Sequence, residues 1–322
     1  MDSAGAEAGH LQRVFTSACE RFRALPKADL HCHAMLSAPF EAYSQLAYEC
    51  RERPPRLPPK VFCSFGEFED YLGRELLRLL NCVEAREQIF TAALRQMEAD
   101  RIVRVQCSFD AFMRERVGVA WDPLMHNMRK LARALVPSIE LEMELGISHE
   151  YLAFKGLAEV EAALASGEFA GVDIYGDEAA ANPDQLRDLI ACVKLYPVYV
   201  KLHCAEQVSG EQAYEHCMLV QPDAIQHGTR AIEAPNFMAY LSERQIPLHL
   251  APASNIALGV NMDYATHPIR ALFDAGIRVT IASDDYAVFG VSVSEQYAHL
   301  LCSGVFSLEE LDQIRLNGLT SS

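Results

Sequence analysis

Eight short apolar or β-branched runs recur along the chain, helical patterns separate them, and most runs end in a polar or glycine-containing turn. Together these observations predict an α/β fold, a (β/α)8 TIM barrel. The runs are residues 28–33, 102–109, 139–147, 171–175, 198–204, 224–227, 247–251 and 279–283. Their apolar character without strict alternation is what strands buried on both faces require. Between them, helical patterns cover residues 68–80, 84–99, 123–136, 157–165, 184–195, 210–219, 235–244 and 268–275. Several open with Asn, Asp or Pro and close near Gly, as helix ends do.

The 322 residues would supply two average domains, but barrels of this architecture run to roughly 200–400 residues as one unit. A single domain across residues 1–322 is therefore expected. Residues 1–25 precede the first strand and are expected to form a helical extension over the bottom or side of the barrel. Residues 35–65 interrupt the repeat directly after strand one, where such barrels build their binding loops, and they read as a lid or substrate-lining insertion. Within it, Arg51, Arg53, Arg56 and Lys60 read as a solvated basic turn in preference to an anion site.

Lys and Arg number 28 against 44 Asp and Glu, a net charge of −16. That field opposes nucleic-acid phosphates, so no nucleic-acid partner is expected. No stretch of about 18 uncharged apolar residues occurs, and the N-terminus lacks a basic start followed by an apolar run, so neither membrane nor secretion is expected. The ten cysteines are scattered without a C-x-x-C pair, which reads as reduced thiols in a cytoplasmic protein. The partner expected is a small molecule.

Chemistry-bearing residues fall at the ends of the runs. His31 and His33 end the first, His203 the fifth and His227 the sixth, while Asp284 and Asp285 follow the eighth. Alternation along a strand turns both imidazoles of H-x-H to one face. With His203 and Asp284 they offer three nitrogens and one oxygen, a set that suits one Zn²⁺ with a position left for water; Fe²⁺, Co²⁺ or Mn²⁺ accept the same donors. Glu206 follows His203 by three residues, so its carboxyl reaches the same pocket as a candidate general acid. Lys201 shares the face of His203 and calls for an inward carboxylate partner, because an unpaired buried ammonium is costly. Cys32 and Cys204 are turned outward by the same alternation. His10, His126, His149, His216, His249, His267 and His299 read as structural or solvated.

Six segments occur in an order that is specific: His31-Cys32-His33, residues 171–178 (GVDIYGDE), His203-Cys204-Ala205-Glu206, Gln226-His227-Gly228, Pro252-Ala253-Ser254-Asn255 and Ser283-Asp284-Asp285. Across about residues 25–319 the chain resembles the adenosine deaminase family of the amidohydrolase superfamily. The resemblance implies a metal-dependent hydrolase that deaminates an aminopurine nucleoside or related amino-N-heterocycle and releases ammonia. It implies His31, His33, His203 and Asp284 as zinc ligands and Glu206 as the group that protonates the ring nitrogen beside the attacked carbon. His227 would orient or deprotonate the water, Asp285 would contact the water and a second ring nitrogen, and the Gly176 backbone would meet the far edge of the ring. Binuclear relatives carry a carbamylated Lys on strand four; residues 171–175 contain none, so one metal is expected.

Departures from the family pattern concern recognition. Met35 stands where many relatives place an acid that reaches a ribose hydroxyl, and Gln226 and Tyr286 also differ. An apolar Met35 favours a free base, a modified nucleoside or a specialised metabolite, although adenosine stays the leading single substrate. Hydrolysis of a different C–N bond, or a non-catalytic binding role, are the alternatives. The full set of ligands with Glu206, His227 and Asp285 favours an enzyme, because a binding protein has no reason to keep costly buried charges. Residues 317–322 resemble the family's closing motif without its following helix, which suggests a shortened C-terminus.

Overall fold

A computed structural model describes residues 3–320 of the chain; Met1, Asp2, Ser321, Ser322 and the side chains of residues 3–8, His10 and Leu11 lie outside the described residues. All eight runs are strands: β1 (Lys27–His33), β2 (Ile102–Asp110), β3 (Glu140–Ser148), β4 (Gly171–Tyr175), β5 (Tyr199–Cys204), β6 (Ala224–His227), β7 (Leu248–Leu250) and β8 (Val279–Ile281). They form one parallel sheet in sequence order. A parallel bridge between Cys32 and Asp284 brings β8 round to β1, and the Asp284 N–H donates to the His31 carbonyl at 2.9 Å. Beneath that bridge the backbone N–H and hydroxyl of Ser283 both donate to the Asp29 carboxylate. The seam of the barrel is thus closed by residues that also carry its chemistry.

The barrel floor holds an ion pair. Lys201 Nζ lies 2.6 Å from Glu144 Oε1, each residue 1% exposed, and donates to the Leu30 carbonyl at 2.6 Å. Gln226 Nε2 donates to the same carbonyl at 3.3 Å. Cys204 points out of the barrel, its thiol donating to the Ala213 carbonyl of helix Gly210–Val220 at 3.2 Å.

Helices surround the sheet. Val83–Ala99 buries Ile89, Phe90, Ala93, Leu94 and Met97, an apolar stripe at helical spacing. Pro183–Val193 starts at a proline, with Asn182 Oδ1 accepting from the next N–H groups at 3.0 and 3.2 Å. The pattern at 68–80 is not one helix: α-helix Phe65–Tyr71, capped by Ser64, passes into a π turn at Leu72–Leu76 and a 3₁₀ turn at Leu77–Leu79. The register change leaves Leu76, Leu79 and Leu80 buried while Leu72 and Leu77 line the central cavity.

Two C-terminal helices, Val293–Cys302 and Leu308–Thr320, are additional to the eight helical patterns in the sequence. The second lies across β1 and β8. Asn317 Nδ2 donates to the Val279 carbonyl at 3.0 Å, and a Cβ added at Gly318 would sit 3.2 Å from Ala28 Cβ, a tight contact that glycine avoids. Helix Ser3–Arg23 packs on Val293–Cys302, with the Phe22 and Tyr297 rings stacked at 5.1 Å.

Residues 35–65 contain helix Phe40–Glu49 and a largely irregular remainder. Met35, Leu36 and Phe65 line the cavity. Arg53 instead pairs with Glu75 at 2.8 Å, the Arg56 N–H donates to the same carboxylate at 2.8 Å, and none of Arg51, Arg53, Arg56 or Lys60 reaches the cavity. Among the described residues no helix is long and apolar enough to cross a membrane.

Candidate active site

The site forms where the strands stop. Three non-glycine residues there adopt left-handed backbone: Ala205 (φ 58°), His227 (φ 63°) and Asp284 (φ 58°). Each such conformation costs about 1–2 kcal/mol and is held only where surrounding bonds over-determine it. At Asp284 the hydrogen bond to His31 does so; after His227, Gly228 (φ 73°) continues the same turn. Gly176 (φ 101°) turns the chain after β4 and lines the cavity.

His31 and His33 approach Asp284 Oδ1 through Nε2 at 3.5 and 3.6 Å. The His31 ring lies 4.7 Å from that of His203 and 4.6 Å from that of His227, centroid to centroid. Ligand atoms lie within 4.8 Å of one another in three overlapping groups: His31, His33 and Asp284; His31, His203 and His227; and His33, Asp173 and His203. His31 Nδ1 donates to the His249 carbonyl at 3.2 Å, so the lone pair resides on Nε2, toward the cluster. His31 Nε2, His203 Nε2 and both Asp173 oxygens are buried without hydrogen-bond partners. Such atoms are costly unless a polar group meets them, and nitrogen and carboxylate donors converging this closely fit a divalent cation.

Asp173 is an addition to the residues singled out by sequence. Its Oδ1 lies 3.2 Å from His203 Nε2. Burial alone would raise this carboxyl, but His203, with His33 and His31, holds it well below the ordinary carboxylate range. Burial, followed by the neighbouring His203 and His33, holds His31 well below the usual imidazole value; His227 is lowered by burial and by His31. Burial opposes a charge on His33, yet Asp285, Asp284, Asp173 and Asp110 together raise it.

Glu206 is 4% exposed and faces His227, Oε1 to Nδ1 at 3.3 Å. Burial pushes its carboxyl well above the ordinary range, helped by Asp284 and Glu178, which favours the protonated form. A relay of side chains orients it. His267 Nδ1 accepts from the Ile269 N–H at 3.1 Å, which puts the proton on Nε2, and Nε2 donates to Asn255 Oδ1 at 3.2 Å. The amide is thereby fixed with Nδ2 donating to Glu206 Oε1 at 2.6 Å and 3.2 Å from His227 Nδ1. From the other side, Glu178 accepts the N–H groups of Glu206, Gln207 and Val208 at 3.0–3.4 Å and shapes the turn that carries Glu206. Asp285, 4% exposed, is pushed up to about 8 by burial and by Asp284, against the opposing influence of His33.

These groups open into one cavity, continuous with solvent and lined by His33, His203, Glu206, His227, Asp284, Asp285, Tyr175, Gly176 and Met35. His31 lies behind it, 1% exposed. Sequence reasoning missed Asp173, the Asn255–His267 relay, Tyr175 and two arginines in the lining, Arg86 and Arg116. Asp173 and Asn255 sit inside recognised segments; the arginines carry no local signal.

Residues 26–322 match the adenosine deaminase family. An adenine deaminase of Ectopseudomonas mendocina is 30% identical over 300 residues, covering 86% of this chain and 90% of that protein. The crystal structure of an adenine deaminase from Arthrobacter aurescens superposes with a TM-score of 0.81 at 22% identity, over 92% of this chain and 93% of its own. An amidohydrolase from Burkholderia ambifaria with bound Zn gives a TM-score of 0.77 at 19% identity, over 94% and 87%. The chain therefore belongs to the adenosine deaminase family and is a hydrolytic deaminase.

Proposed function

We propose that the chain is a zinc-dependent deaminase of an aminopurine or closely related amino-N-heterocycle, with His31, His33, His203 and Asp284 holding one ion. The observation that carries this reading is the buried Glu206 carboxyl, oriented by Asn255 in the cavity that the His and Asp cluster also lines. The nitrogen-rich donor set favours Zn²⁺, and the Zn-bound structural neighbour supports that choice. A divalent ion held there supplies Lewis-acid activation of water at neutral pH.

The remaining work falls to this chain's own side chains. Glu206 donates its proton to the ring nitrogen beside the carbon under attack, which prevents negative charge from building up on the ring. His227, 3.3 Å from Glu206, orients water and accepts a proton from it. Asp285 contacts a second ring nitrogen and passes a proton to the departing amine, which leaves as ammonia. The Gly176 backbone meets the far edge of the ring, and Met35 lines the region beside it without offering a hydrogen-bond partner to a sugar hydroxyl. The segment 35–65 covers the mouth of a single-domain barrel.

Ammonia release from adenine, adenosine and guanine, together with elemental analysis of protein purified without chelators, tests this reading. About one equivalent of zinc and turnover of an aminopurine are expected. Less than a tenth of an equivalent of any transition metal would overturn the zinc assignment, and absence of ammonia from every substrate would overturn the deaminase reading of the site.

A further inference from the structure

Arg86 departs from the first turn of helix Val83–Ala99, lines the cavity and is only 3% exposed. Its Nε has no hydrogen-bond partner, and the guanidinium makes no ion pair among the described residues. Burial lowers it to about 10 in spite of Asp110 nearby. A buried guanidinium left without a counter-ion is a costly arrangement, and it calls for an anion to meet it.

Arg116 lines the same cavity, close enough to Arg86 for the two charges to act on each other. Its neighbours on helix Phe112–Val117 are paired away from it: Arg114 Nε donates to Glu159 at 2.8 Å, and Glu115 accepts from Lys155 at 2.9 Å. Arg116 itself reaches only the Leu77 carbonyl, at 3.5 Å. The carboxylate that acts on Arg86 is already engaged, since Asp110 Oδ1 accepts from the Phe112 N–H at 2.6 Å and the group also acts on Tyr175 and His33. The Ser108 hydroxyl, buried and without a partner, lines the cavity as a further donor.

We propose that the physiological substrate carries an anionic group, a phosphate or a carboxylate, bound by Arg86 and Arg116 while the amino-bearing ring lies against the His and Asp cluster. The proposal rests on the deaminase reading above and names its substrate class. Asp110 marks the boundary between the two parts: it acts on His33 and Tyr175 on one side and on Arg86 on the other. With Met35 offering nothing to a ribose hydroxyl, charge recognition by the arginines replaces sugar recognition as the handle.

The test is kcat/KM for adenosine, AMP and adenosine 5′-carboxylate on the native protein, Arg86→Met and Arg116→Ala, alongside equilibrium binding of IMP and inosine to the same three proteins. The native protein is expected to prefer an anionic substrate over adenosine by roughly 10- to 100-fold, mainly through KM. In either variant that ratio falls toward one. AMP against the 5′-carboxylate tells phosphate from carboxylate. Preference for adenosine over both anions, or a ratio unchanged in both variants, overturns the proposal. If nothing is deaminated, the deaminase reading fails by itself, and the IMP-to-inosine affinity ratio still decides the anion site. If Arg86→Met does not fold, the more exposed Arg116→Ala carries the test.

Discussion

Around the His and Asp cluster, each predicted functional side chain leaves the last residues of a strand or the turn just after it, whereas around Arg86, beside Ser108 and Asp110 at the end of β2, lining side chains leave helices Val83–Ala99 and Phe112–Val117 and the π and 3₁₀ turns at 72–79. Strand ends are fixed by the hydrogen bonds of the whole barrel, and this rigidity suits a reaction that needs atoms placed to within fractions of an ångström. Helix surfaces and insertions can exchange residues without disturbing the sheet. The proposed chemistry and the proposed choice of substrate thus sit on separable parts of one cavity.

That separation can be broken in order of expected effect. Glu206→Gln keeps the shape of the carboxyl but removes its transferable proton, and kcat for ammonia release is expected to fall by about 10³-fold with metal content unchanged. Retained activity would remove Glu206 from the mechanism and blur the distinction between the two parts. The next effect concerns what supports the strand ends. Lys201→Met strands Glu144, already raised by burial, without its partner, and a loss of about 3–5 kcal/mol is expected in urea unfolding. The double variant with Glu144→Leu should recover most of it; if the single variant costs nothing, the floor ion pair is not what braces the site.

A smaller effect follows from pH. Burial lowers His267 to about 3, so the folded state refuses a proton that the unfolded chain accepts below its ordinary value of 6.5. The resulting contribution is fully present above pH 6.5 and is lost as pH falls from there toward 3. Between pH 6.5 and 5 it amounts to about 2 kcal/mol. His267→Gln should flatten the acid side of the stability profile by that amount, and an unchanged profile would show that His267 does not titrate in this way. The smallest effect concerns recognition alone: Met35→Asp should raise the adenosine-to-adenine ratio of kcat/KM by about tenfold, because it supplies a partner for a sugar hydroxyl. A fall in kcat of similar size for both substrates would show that Met35 belongs to the chemistry instead.

Most of the barrel was legible because strand and helix periods are local. Short apolar runs ending in polar turns marked all eight strands, and alternation alone turned His31 and His33 to one face. Helix Leu308–Thr320 was not legible: its reason for existing is the underside of β1 and β8, which no local pattern records. The same holds within the site. Asp173 lies in an apolar run that reads as a core strand, and its importance comes from the His203 ring 3.2 Å away on the next strand.

The sequence by itself determined the order of strands and the residues at their ends, which follow from spacing along the chain, and its six segments carried the resemblance to the family. Only the tertiary structure decided that Glu144 answers Lys201, that His267 fixes Asn255 and through it Glu206, and that Arg86 and Arg116 face the same space. Each of these pairings joins separate elements, and whether two such side chains meet depends on how the helices seat on the closed sheet.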